Sequence, residues 1–191
     1  MPYDLTQVRL LIVEDMQPML SLTTSLMTMF GFKNVHGAKS VDEGFKLFCQ
    51  YNHDIVITDW LMEPLDGLDL IRLIRRDDNS PNKFVPILLM TGYSDQPRVE
   101  SARDMGVTEF LMKPYSARDM YARIVQIIEK PRQFVDTGPF FGPDRRRRRN
   151  FAFFGEDRRG NADKNFSEEV FAPSTEMDVV LRDLKEDMKK L

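Results

Sequence analysis

Short apolar runs alternate with segments of helical periodicity through the first 130 residues of the chain. Three of the runs are nearly continuous in Val, Ile and Leu, a pattern typical of strands covered on both faces in a parallel sheet. Pro86 is compatible with the first position of its strand. The predicted strands cover residues 8–13, 34–38, 55–58, 86–90 and 109–112, and 34–38 has the weakest pattern.

Helical patterns with recognisable ends lie between these strands. Ser40 followed by Glu43, and Ser116 followed by Asp119, are N-terminal capping signals for the second and fifth helices. The other three predicted helices cover residues 18–30, 68–75 and 97–105. Five strands alternating with five helices predict an α/β protein with a doubly wound, five-stranded parallel sheet.

The character of the chain changes after Lys130, where Pro and Gly residues interrupt any regular pattern. We therefore expect a folded domain over residues 5–130 and a largely irregular, flexible tail over residues 131–173, rich in Pro, Gly, Arg and Phe. The segment 174–191 has apolar residues at a heptad-like spacing and predicts a short amphipathic helix, too short to be stable alone. The sequence leaves open whether this helix makes a homodimer or folds onto the domain.

A seven-residue motif occurs twice in the tail. Residues 140–146 read Phe-Phe-Gly-Pro-Asp-Arg-Arg, and residues 153–159 read Phe-Phe-Gly-Glu-Asp-Arg-Arg. The intervening run Arg145 to Arg149 makes this segment strongly basic, whereas the whole chain has a formal net charge of −3. Three interpretations stay open for residues 140–159: a peptide that docks on a protein, which we favour, contact with nucleic acid, or contact with an anionic membrane.

The composition is that of an ordinary soluble protein, with 42% hydrophobic and 30% charged residues in 191. The longest apolar runs have four residues, so we expect no membrane span and no secretion signal. The single cysteine, Cys49, excludes an internal disulfide and a cysteine-based zinc site, and fits a reducing, cytoplasmic environment. No glycine-rich phosphate-binding motif occurs, which argues against nucleotide binding.

Charged and polar residues follow the predicted strands at the points where the strands end. They are Glu14, Asp15, Asp59, Thr91 and Lys113. In a doubly wound sheet the carboxyl ends of the strands form the ligand-binding edge. Crowded carboxylates repel unless a cation lies between them, and Mg²⁺ prefers such oxygen ligands. The pattern therefore predicts a magnesium site in which Asp59 is a nucleophile for a phosphoryl group, with Thr91 and Lys113 neutralising its oxygens.

Together these residues resemble the receiver domain of bacterial two-component response regulators, over residues 5–130. The resemblance rests on Glu14-Asp15, Asp59, Asp66-Gly67, Thr91-Gly92 and Lys113-Pro114. It implies a flavodoxin-like sheet of strand order 2-1-3-4-5. In one respect the sequence departs from the family pattern, because Met62 is followed by Glu63 and the proline is displaced to Pro64.

The resemblance also implies a role for each residue of the acidic edge. Asp59 is the phosphoacceptor, and Thr91 and Lys113 contact the phosphoryl group. Phe110 is the aromatic switch residue. The Mg²⁺ ligands are the carboxylates of Asp15 and Asp59 and the carbonyl of Leu61, with Glu14 acting through water.

The expected function is that of a phosphorylation-controlled signalling switch without a catalytic output domain. The phosphoryl donor is a histidine kinase, a histidine phosphotransfer protein or a small acyl phosphate, and the output is a downstream protein target. The alternative is a nucleic-acid-binding regulator whose basic, aromatic tail is the output.

Three aromatic residues outside this set have less specific predictions. His36 and His53 are expected to lie apart, at the surface or at a strand edge. Trp60 follows the phosphoacceptor, so it either flanks the site or packs on the first helix. None of the three is predicted to be catalytic.

Overall fold

The computed structural model describes residues 3–92, 102–137 and 140–144. Its main sheet contains β1 (Arg9–Val13), β2 (Asn34–Ala38), β3 (Ile55–Asp59), β4 (Ile87–Thr91) and β5 (Glu109–Met112). The strands are parallel and lie in the order β2-β1-β3-β4-β5. The predicted doubly wound fold is confirmed. This topology brings the carboxyl ends of β1, β3, β4 and β5 to one edge of the sheet.

Four helices are described in full: α1 (Gln17–Met29), α2 (Val41–Tyr51), α3 (Gly67–Arg76) and α4 (Ala117–Glu129). The capping signals are used, because the hydroxyl of Ser40 accepts from the amide of Glu43, and Ser116 and Asp119 cap each other. Of the helix predicted over 97–105, residues 102–104 are helical and residues 97–101 lie outside the described part. No helix among the described residues could cross a membrane.

The sheet has a hydrophobic core on each face. Along β1, Leu10 and Ile12 belong to the core beneath α1 and α4, whereas Leu11 and Val13 belong to the core beneath α2 and α3. All four side chains are fully buried. Burial on both faces explains why this strand is a continuous apolar run instead of an alternating one.

The chain after residue 131 contains a hairpin that the sequence did not predict. Strands β6 (Phe134–Asp136) and β7 (Phe141–Pro143) pair antiparallel. Three-residue strands are too short to leave a periodic signal, and the Pro and Gly residues suggested irregular chain. Tertiary contacts stabilise the hairpin: the rings of Phe134 and Phe141 pack 5.2 and 5.3 Å from that of Phe84. Residues 145–191, including the predicted helix at 174–191, lie outside the described residues.

The two histidines are in contact, contrary to the expectation that they lie apart. Nδ1 of His36 lies 2.7 Å from Nε2 of His53, which is fully buried. His36 is on the edge strand β2, and His53 precedes β3 beneath the carboxyl end of α2. The ring of Tyr51 packs 4.3 Å from that of His36 and closes the pair on the α2 side.

Candidate functional site

The candidate site lies at the carboxyl ends of β1, β3 and β5, where one ammonium meets two carboxylates. Nζ of Lys113 lies 2.9 Å from Oδ2 of Asp59 and 3.2 Å from Oε2 of Glu14. The side chain of Glu14 is completely buried, that of Asp59 is 10% exposed and that of Lys113 is 25% exposed. Three residues widely separated in sequence thus form one compact charged cluster.

Two carboxylates face one ammonium in this cluster, and the pKa values of Glu14 and Lys113 reflect this imbalance. Burial and the neighbouring charge of Asp59 raise the pKa of Glu14, and the attraction of Lys113 compensates only in part. Burial alone would lower the pKa of Lys113, but hydrogen bonds and charge interactions with Asp59 and Glu14 raise it overall. The site therefore holds an excess of negative charge in a largely buried position.

The loop after β3 fixes the position of the Asp59 carboxylate. The amide of Trp60 donates to Oδ1 of Asp59 at 2.8 Å, which leaves Oδ2 facing Lys113. Gly67 passes so close to the backbone of Asp59 that a Cβ on residue 67 would overlap the Asp59 carbonyl oxygen. Asp66 caps α3 by accepting from the amides of Leu68 and Asp69. The Asp66-Gly67 pair thus shapes the backbone that supports Asp59.

Thr91 and Phe110 lie on the two neighbouring strands. Thr91 is fully buried at the end of β4, and its carbonyl accepts from the Lys113 amide at 2.7 Å. Phe110 is half-buried in β5, with the guanidinium carbon of Arg103 6.0 Å from its ring centre. The sequence did not single out Arg103, and no local pattern connects it to Phe110.

Two of the three predicted metal-ligating carboxylates are brought together. Glu14 and Asp59 meet at Lys113, but within residues 3–92, 102–137 and 140–144 no three His, Cys, Asp or Glu side chains form a metal-binding group. Asp15, which follows Glu14 in sequence, is half-buried, and Leu61, in the loop after β3, is 55% exposed. A site with oxygen donors and uncompensated negative charge fits a hard divalent cation such as Mg²⁺.

Trp60 is buried in the core on the α2 and α3 side of the sheet, so it does not pack on α1. It follows Asp59 directly and its amide donates to the Asp59 carboxylate, which makes its fluorescence a suitable reporter of that carboxylate. The Trp60 side chain thus belongs to the core, whereas its backbone amide belongs to the site. The sequence could identify its position but not the face on which it packs.

A family model for the response regulator receiver domain matches residues 10–125. The chain belongs to this family. Receiver domains act as switches in two-component signalling and generally use Mg²⁺ for phosphorylation. The chain is 29% identical over 122 residues to the chemotaxis protein CheY of Pseudomonas aeruginosa, covering 64% of this chain and 97% of that protein. It is 28% identical over 118 residues to a probable chemotaxis protein CheY of Rhizobium etli, covering 62% and 90%.

Solved structures agree with the sequence relatives. A receiver domain protein from Clostridium thermocellum matches with a TM-score of 0.56 and 28% identity, covering 62% of this chain and 92% of that one. The chemotaxis protein CheY4 of Vibrio cholerae matches with a TM-score of 0.58, covering 63% and 98%. Its 20% identity supports the fold alone.

Proposed function

We propose that this receiver takes up a phosphoryl group on Asp59 from a histidine kinase or a histidine phosphotransfer protein and thereby changes its affinity for a downstream protein. The contact between Lys113 and Asp59 carries this proposal, because it places an ammonium 2.9 Å from the oxygen that would be phosphorylated. Membership of the receiver family supports the same role.

The chemistry requires little of the protein beyond positioning and charge. Oδ2 of Asp59 forms a bond to phosphorus while the bond to the donor nitrogen or oxygen breaks, and the leaving group keeps that electron pair. Lys113 then moves from the carboxylate to an oxygen of the phosphoryl group, which it neutralises as a point charge. The hydroxyl of Thr91 donates to a second oxygen.

The metal site proposed for this step uses Asp15, Asp59 and the carbonyl of Leu61 directly, with Glu14 acting through water. Mg²⁺, when bound there, offsets the charge that the incoming phosphoryl group brings to an already negative site. The raised pKa of Glu14 supports this role, because it reports a carboxylate in need of more positive charge than Lys113 provides.

Phe110 and Thr91 connect the acceptor to a partner surface in this proposal. Phosphorylation draws Thr91 toward the new oxygens and favours the inward position of the Phe110 ring, which is half-buried in the present structure. The surface that changes is formed by the region 97–105, Phe110 and α4. The output is a protein–protein contact made in the cytoplasm, to which the basic segment 140–159 contributes as a docking peptide.

A titration with beryllofluoride in the presence of Mg²⁺, followed by Trp60 fluorescence, tests the proposal. We expect a saturable change in the parent protein and in Asp54→Asn, a matched control at the opposite end of β3 where Asp54 pairs with Arg9. Asp59→Asn should give no change. An undiminished response of Asp59→Asn, or a response that survives chelation of Mg²⁺, would contradict the proposed acceptor.

A further inference from the structure

The first copy of the repeated motif is docked on the receiver through its second phenylalanine. The ring of Phe141 packs 5.3 Å from that of Phe84 and 5.7 Å from that of Phe134. The rings of Phe84 and Phe134 lie 5.2 Å apart. Phe84 precedes β4, whereas the other two rings belong to the hairpin. Phe141 therefore completes an aromatic trio that joins the tail to the domain.

The glycine of the motif is required by a close approach of two backbone segments. A Cβ on Gly142 would lie 2.9 Å from the Cα of Gly106, in the turn that precedes β5. The next contact is made by the motif's aspartate, whose amide donates to the carbonyl of Gln133 at 2.6 Å. Phe141, Gly142 and Asp144 are thus three of the positions that hold the first copy in place.

The second copy keeps all three of these residue types. Phe154, Gly155 and Asp157 stand where Phe141, Gly142 and Asp144 stand in the first copy. The second copy therefore keeps the aromatic ring that packs on Phe84, the glycine that leaves room for Gly106, and the aspartate whose amide pairs with Gln133.

The one difference within this stretch also suits the site. Glu156 replaces Pro143, which lies directly opposite Phe134 in the hairpin and so shares its face. The guanidinium carbon of Arg75 lies 5.1 Å from the centre of the Phe134 ring, and Arg75 is almost fully buried. Burial lowers the pKa of Arg75 to about 9, so it is still charged at neutral pH. A carboxylate at this place would lie beside a buried cation that donates to the carbonyls of Gly106 and Lys83.

We propose that residues 153–159 are a second, exchangeable occupant of the site that β7 holds, so that the tail pairs with β6 in two registers. The connection after β6 lengthens from residues 137–140 to residues 137–153, and the entropic cost of closing a loop rises only slowly with its length. A segment on the same chain also has a far higher effective concentration than one on another molecule.

Exchange of register changes how the arginine run is presented. In the first register, Arg145 to Arg149 continue the chain beyond β7; in the second, they lie within the loop between the two paired strands. A partner that binds the run in one presentation only shifts the exchange toward that register. The two copies of the motif are then a switch in the tail that is independent of Asp59.

Six variants of the full chain test this inference. Three are single changes: Phe141→Ala, Phe154→Ala, and Phe151→Ala as a matched aromatic control outside both motifs. The other three combine Phe141→Ala with Phe154→Ala, Phe151→Ala or Gly155→Ala. Urea unfolding reports stability, and amide hydrogen exchange of residues 134–136 reports pairing of β6. We expect Phe154→Ala alone to change neither. In the Phe141→Ala background it should lower the unfolding midpoint and reduce exchange protection of β6 by about tenfold or more. Gly155→Ala should act as Phe154→Ala does in that background.

Two outcomes would overturn the inference. If Phe154→Ala and Phe151→Ala are indistinguishable in the Phe141→Ala background, the second motif does not use the site. If the unfolding midpoint of Phe141→Ala rises with protein concentration, the occupant is the second motif of another molecule and the exchange within one chain is wrong.

Discussion

Oε2 of Glu14 lies 3.2 Å from the ammonium of Lys113, although the Glu14 side chain has no exposed surface. The pKa of Glu14 is nevertheless raised, so Lys113 does not fully offset the cost of burying this charge beside Asp59. A group whose pKa is higher in the folded than in the unfolded state loses its stabilising contribution as pH rises through the folded pKa. Ionised Glu14 therefore destabilises the fold at neutral and alkaline pH.

We expect Glu14→Gln to increase the free energy of unfolding by about 1 kcal/mol at pH 8, because it removes a buried charge while keeping a hydrogen-bond acceptor. The gain should vanish near pH 4, where Glu14 is protonated. Urea unfolding at both pH values measures it, with exposed Glu63→Gln as the control. A variant that is less stable than the parent at pH 8 would contradict this account of the cluster.

The histidine pair makes stability depend on pH in the opposite direction. Burial, and the proximity of His36 and Arg9, lower the pKa of His53 to about 4, whereas Asp54 opposes the shift. Since this value lies below the ordinary 6.5, the stabilising contribution is complete above pH 6.5 and is lost as pH falls toward 4. We expect a loss on the order of 2 kcal/mol across this window.

The comparison of His53→Gln with the parent protein isolates this effect from the titration of carboxylates. The difference in unfolding free energy between the two should change between pH 6.5 and 4 and be constant above pH 7. His36→Gln should show a smaller loss over the same window, because His36 lowers the pKa of His53. Parallel curves for His53→Gln and the parent would show that His53 does not titrate in this way.

The hairpin should contribute measurably to the stability of the receiver. A chain that ends after Lys130 lacks the aromatic contacts with Phe84 and the bond from Arg132 to buried Glu109, which is 2.8 Å long. A chain that ends after Asp144 keeps both. We expect the free energy of unfolding of the shorter chain to be about 2–4 kcal/mol lower than that of the longer one. Equal unfolding curves for the two chains would mean that the hairpin contributes nothing to the stability of the domain.

Leu61 is expected to prolong the phosphorylated state. It lies two residues after Asp59, the proposed acceptor, and is 55% exposed, and its apolar side chain offers no hydrogen bond to an attacking water. Leu61→Asn supplies such a group and should accelerate loss of the phosphoryl group severalfold, as measured by the decay of radiolabelled protein without kinase. Identical decay of the two proteins would show that Leu61 does not prolong the phosphorylated state.

The acidic cluster could be predicted from the sequence because each of its residues ends or directly follows a predicted strand. Parallel topology then brings Glu14, Asp59 and Lys113 together without any further information. The hairpin could not be predicted, because it depends on packing of Phe134 and Phe141 against a residue much earlier in the chain. The contact of His36 with His53 was missed for the same reason, since it joins an edge strand to the turn before β3.

Mapping of the phosphoryl group by mass spectrometry tests most directly whether Asp59 is the phosphoacceptor. After incubation with acetyl phosphate and Mg²⁺, we expect one phosphoryl group per chain, located on Asp59 and released by hydroxylamine as an acyl phosphate is. Asp59→Asn and the parent protein treated with chelator should remain unmodified. A phosphoryl group found on any other residue, or found at equal yield in Asp59→Asn, would contradict the claim.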